Sequence, residues 1–130
     1  MSGIVFFASE DRDRTVSFYT DRLGASVWLE QPDCTVLEYD NMLFGFCERE
    51  SADTDGTVTF VVDDRTGVDA LHEELTDRAR GDPVENERYD IYQFFADDPE
   101  GRTVEVQAFL HETDRVRNSR SGRDRTDSGM

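Results

Sequence analysis

Apolar residues run through positions 4–9 and give way to acidic ones, and the same arrangement returns at 57–64, where Thr57-Val58-Thr59-Phe60-Val61-Val62 is closed by Asp63-Asp64. Each run reads as a strand and each leads into a stretch with helical spacing. In the first copy a strand over 3–9 precedes a helix that begins at Asp11-Arg12-Asp13 and ends near Leu23. Val16, Tyr19 and Leu23 share one face of that helix, and Phe18 lies off the stripe, at an edge or over another surface. Gly24 is placed to cap it, since glycine takes the left-handed conformation at little cost. Three strands follow at about 25–31, 34–40 and 42–48, punctuated by Gln31-Pro32-Asp33 and by a turn at Asp40-Asn41. After a polar linker over 50–56, the second copy has a strand at 57–62 and a helix over about 66–79 with Val68, Leu71, Leu75 and Ala79 inward. Strands at roughly 83–88, 91–96 and 102–110 complete it.

The pattern is strand, helix, three strands, twice over. It predicts an α+β domain of two equivalent modules that face one another across a pseudo-twofold axis. One domain spans 1–111, with modules at about 3–49 and 57–110. Residues 112–130 hold five arginines, four acids and almost nothing apolar, a composition that predicts a disordered tail. An arm of this kind also supports a reading in which the chain is an interaction domain that engages an acidic partner through it.

Charge changes this picture more than length does. Thirty acidic residues face 14 basic ones, all arginine, for a net −16. Such self-repulsion is tolerated best where salt screens it, so we read the composition as adaptation to a salt-rich cytoplasm. It argues against a nucleic-acid partner, whose phosphates demand a basic face. No apolar run reaches membrane-span length and no signal peptide is present, which predicts a cytoplasmic protein without a membrane partner. Cys34 and Cys47 form neither a metal-type pair nor a disulfide framework and are expected to be buried free thiols.

Two motifs add a family. Asp11-x6-Phe18-Tyr19-x3-Leu23-Gly24, together with Asp98-Pro99-Glu100-Gly101-x3-Glu105, resembles the vicinal oxygen chelate superfamily, which includes glyoxalase I, bleomycin-resistance proteins, extradiol dioxygenases and fosfomycin-resistance enzymes. The resemblance covers about 3–110 and implies an α+β fold of two pseudo-symmetric βαβββ modules whose curved mixed sheets enclose a cleft, commonly assembled as a dimer. It also implies that metal enzymes of this group take one ligand from the first and last strand of each module. On this chain those positions read Ile4, Gly45, Thr57 and Glu105, one competent donor in four, where a divalent ion needs several. His72 lies beside the apolar stripe of the second helix and reads as a structural histidine. His111 sits at the exposed tail junction.

Alternation along the last strand puts Thr103, Glu105 and Gln107 on one face and Val104 and Val106 on the other. Facing the cleft on the first strand are Ile4, Phe6 and Ala8, and on the fifth Thr57, Thr59 and Val61. Trp28, Tyr39, Tyr89, Tyr92 and Phe94 or Phe95 are candidate walls. The leading expectation is a protein that binds a small organic ligand without a cofactor. Its contacts would come from Ile4, Phe6, Thr57, Thr59, Tyr92, Glu105 and Gln107, and it would act as a homodimer. Glu105 is the candidate general base or acid, or the anchor of a cationic ligand. The alternative is a divalent-metal-dependent lyase, isomerase or dioxygenase with an atypical ligand set that uses Glu105. No Ser-His-Asp, Cys-His or phosphate-loop arrangement supplies other chemistry.

Overall fold

The computed structural model describes residues 3–114, so most of the arginine-bearing tail lies outside the described residues. In chain order the elements are β1 (Ile4–Ser9), α1 (Arg12–Leu23), β2 (Ser26–Glu30), β3 (Cys34–Tyr39), β4 (Met42–Glu48), β5 (Thr57–Val61), α2 (Arg65–Glu74), β6 (Val84–Asn86), β7 (Ile91–Asp97) and β8 (Thr103–Phe109). They form two four-stranded mixed sheets of identical topology, β1-β4-β3-β2 and β5-β8-β7-β6. In each, the first and last strands of the module pair in parallel and the remaining pairs are antiparallel. Asp11 caps α1 through its side chain, and Gly24 closes it at φ 81°, the left-handed geometry expected of it.

The registers of the two modules correspond. Phe6 pairs with Gly45 on β1/β4, and Thr59 pairs with Glu105 on β5/β8. Gly45 and Glu105 are therefore equivalent positions, as the sequence alignment of the two last strands expects.

Both helices and the faces of both sheets that carry Phe44, Phe46, Phe60, Val104 and Val106 share one core. Tyr19 stands at its centre, 5.1 Å from Phe46 and 6.0 Å from Phe60 between ring centroids, while Phe60 meets Tyr39 edge-on at 4.8 Å. Such contacts contribute about 0.5–1.5 kcal/mol each beyond the area they bury. Phe18 is buried too, edge-on to Tyr19 and beneath the Arg78 guanidinium. Because the modules join through their helix sides, the opposite faces of the sheets point away from the shared core. The two sheets are not closed into one.

Three local expectations are corrected. The α2 helix ends at Glu74 rather than near 79, because the Thr76 hydroxyl takes the carbonyls of His72 and Glu73, which would otherwise extend the ladder. The β6 strand is shortened to three residues, because the Asn86 side chain accepts hydrogen bonds from the Arg88 and Tyr89 amides and folds the chain into a turn. Cys34 and Cys47 are not free thiols: they stand directly opposite on β3 and β4, with Cα atoms 4.0 Å apart, and form a disulfide. No helix among the described residues is long and apolar enough to cross a membrane.

Candidate functional site

The Asp98-Pro99-Glu100-Gly101 turn sets the start of β8. Asp98 Oδ1 accepts from the Glu100 and Arg102 amides at 2.9 and 3.0 Å, and Gly101 adopts φ 86°, a conformation other residues take only with strain. From this fixed start the strand turns Thr103, Glu105 and Gln107 to the face away from the helices, while Val104 and Val106 are fully buried beneath.

On that face a ladder of polar side chains crosses all four strands of the second sheet. Asn86 Nδ2 donates to Gln93 Oε1 at 2.9 Å, Gln93 Nε2 donates to Glu105 Oε2, and Thr59 Oγ1 donates to Glu105 Oε1 at 2.9 Å. Because Asn86 is itself held by backbone amides, donor direction propagates along the row from Asn86 through Gln93, and the row ends on the carboxylate. Both Glu105 oxygens are thus engaged by neutral donors, and its orientation is set from two neighbouring strands. The Gln107 amide makes no side-chain hydrogen bond among the described residues. A concavity of about 600 Å³ opens above this row, with Tyr89, Phe95 and Phe109 as aromatic walls and Glu105, Gln107 and Gln93 among its polar lining.

The structure gathers Thr59, Glu105 and Gln107 at this place, with Tyr89 and Phe95 among the expected walls. Thr57 is on the same face, paired with Thr103 at the strand's exposed start, and does not line the concavity. Ile4 and Phe6 lie on the corresponding face of the other module, where the Phe6 ring covers Gly45. Tyr92 does not face Glu105: alternation turns it to the helix side, where its hydroxyl donates to Asp69 at 2.7 Å and Arg65 lies over its ring. Tyr39 and Phe94 also belong to the core side. Asn86 and Gln93 escape the sequence reading. The signal for Gln93 is its place between Ile91 and Phe95 in the alternation of β7, which the run of aromatics there obscures.

A divalent ion does not fit these residues. Of the four positions that the sequence resemblance marks for metal ligands, Ile4 and Gly45 have no side-chain donor atom, Thr57 offers a hydroxyl, and Glu105 is the lone carboxylate. Cys47 is locked in the disulfide, and Glu48 points to the helix side, 3.9 Å from Arg12. His72 packs edge-on against Phe94 with Nε2 3.1 Å from the Gly81 carbonyl, and His111 is exposed beside Glu112. No group of three potential ligands is assembled among the described residues.

Neither a family model nor a curated protein matches the chain. Solved structures do. A glyoxalase/bleomycin resistance protein/dioxygenase family enzyme from Burkholderia phytofirmans PsJN aligns with TM-score 0.73 at 20% identity over 82% of this chain and 97% of its own. A lactoylglutathione lyase from Agrobacterium tumefaciens aligns at 0.68 and 19% identity, over 83% and 92%. A glyoxalase/bleomycin resistance protein/dioxygenase from Nocardioides gives 0.68 and 15%, over 90% and 88%. At these identities the likeness is one of fold.

Proposed function

Starting from the vicinal oxygen chelate fold that these structures share with the chain, we propose that the protein binds a small organic ligand on the open face of its second module, without a metal. The observation that carries this reading is the ladder from Asn86 through Gln93 to Glu105, which holds a carboxylate in fixed orientation at the floor of an aromatic-walled concavity. A surface carboxylate retained only for solubility needs no such support. Mostly apolar walls with a few oriented polar groups are the usual make-up of a small-molecule site. Glu105 sets the ligand's orientation, and the uncommitted Gln107 amide offers it a further hydrogen bond.

The protein acts as a homodimer in this proposal. The half-exposed rings of Phe6 on one module and of Phe95 and Phe109 on the other are apolar surfaces that a second copy can cover. Juxtaposing the first module of one copy with the second module of the other would close the concavity and bring Ile4 and Phe6 to a ligand held by Glu105.

A thermal-shift screen of chelator-treated protein in molar salt tests the reading. The expected result is a compound that raises the melting temperature of the wild type and not of Glu105→Ala. Stabilisation that persists in Glu105→Ala, or that requires an added divalent ion, would overturn it.

A further inference from the structure

The chemistry around Glu105 restricts the class of ligand. None of the ion pairs among the described residues includes it, although most of the described arginines are paired with carboxylates elsewhere. Its hydrogen-bond partners, Thr59 and Gln93, are neutral, so they orient the negative charge without compensating it. The walls are aromatic side chains, and the faces of such rings carry negative electrostatic potential and attract cations within about 6 Å of their centroids. Arg88 already lies over the Tyr89 ring at 5.6 Å, while Phe95 and Phe109 are 40% and 41% exposed and carry no arginine among the described residues, Phe109 meeting the His111 ring edge-on. A net charge of −16 repels anions from the whole surface.

We propose that the ligand of this site is an organic cation, an ammonium or amidinium group on an apolar body, with its charged end at Glu105 and its body against Phe95 and Phe109. This rests on the small-molecule reading above and narrows it. A cation brings to the carboxylate the one thing the ladder withholds. The rings that line the concavity serve an apolar ligand and a cationic one alike; the uncompensated carboxylate distinguishes them. Two probes of equal shape separate the cases: (4-hydroxyphenyl)trimethylammonium and the neutral 4-tert-butylphenol, titrated calorimetrically into the full chain at 0.2 M and 2 M KCl.

The expected result is that the ammonium probe binds at least about tenfold more tightly than its neutral isostere, a difference of about 1.4 kcal/mol. Glu105→Gln, which keeps the shape of the side chain, should erase that preference by weakening the ammonium probe. Phe95→Leu, opposite Glu105 on the neighbouring strand but no member of its hydrogen-bond ladder, should reduce the preference while Glu105 remains. Equal binding of both probes to the wild type overturns the cation assignment and leaves the small-molecule reading standing. A preference that survives Glu105→Gln places the cation elsewhere and overturns it too. If neither probe binds, both readings fail.

Discussion

At position 45 a Cβ atom would stand 2.7 Å from the Phe6 ring, and the residue in the equivalent register of the second module is Glu105. Two matching places in two similar sheets have thus been used in opposite ways, one emptied so that an aromatic ring can lie across it, the other given a supported carboxylate. That contrast was legible in the sequence, since alternation along the last strands and the repeat offset locate both residues. The support for Glu105 was not, because Gln93 donates diagonally from the neighbouring strand and Asn86 reaches it only through the turn that ends β6. The ladder carries a prediction of its own. Gln93→Ala empties a buried position and deprives the part-buried Glu105 carboxylate of one donor, and should cost about 1–3 kcal/mol in urea unfolding. Gln107→Ala, on the same face but uncommitted, should change stability by less than about 0.5 kcal/mol. Equal effects would mean that the ladder holds nothing in place.

The Asp98–Arg102 turn is more than a lead-in to β8. Arg102, completely buried, donates to Asp98 at 2.6 Å, to the Ala8 carbonyl at 3.0 Å and to the Asp53 carbonyl at 2.6 Å, and its guanidinium lies over both Phe7 and Phe46. The Tyr19 hydroxyl donates to the same Asp98 carboxylate, and burial, reinforced by that carboxylate, pushes its pKa far up. The turn therefore fastens the second module to β1, α1 and the linker. Arg102→Ala should cost about 3–5 kcal/mol, because it leaves the Asp98 carboxylate buried without its cation. Glu100 belongs to the same element and accepts from the Glu10 and Asp11 amides at the start of α1. Burial pushes its carboxyl up, but the hydrogen bonds from Glu10, Ser9, Asp11 and Thr15 outweigh it and hold it below the ordinary range. A depressed carboxyl stabilises the fold above its unfolded pKa, and that contribution is lost as pH falls through the folded value. Urea midpoints for the wild type and Glu100→Gln should accordingly differ at pH 7 and converge below about pH 4; a constant gap would contradict the assignment. From the sequence the turn could be recognised and its glycine explained. Its partners lie up to 94 residues away and have no local signature. The disulfide is the opposite case. A hairpin centred on Asp40-Asn41 already sets Cys34 against Cys47, so the pairing follows from the strand bounds once the register is counted.

At the scale of the molecule, two modules have been joined through their helix sides, which leaves the Phe6 and Glu105 faces turned outward. Repeat and motif together made the βαβββ topology readable, whereas the direction in which the modules face depends on which surfaces share the core, and apolar alternation is the same either way. Sedimentation equilibrium in molar KCl should give twice the chain mass of 14.9 kDa, and Phe6→Glu together with Phe95→Glu should return it to the monomer. A monomeric wild type would remove the second copy from the account. In the proposed role the second module's carboxylate serves an organic ligand and holds no metal. Calorimetric titration of chelator-treated protein with Ni²⁺, Zn²⁺, Mn²⁺ and Fe²⁺ under anaerobic, high-salt conditions decides this. No stoichiometric uptake that depends on Glu105 is expected, and tight one-to-one binding abolished in Glu105→Ala would overturn the proposal.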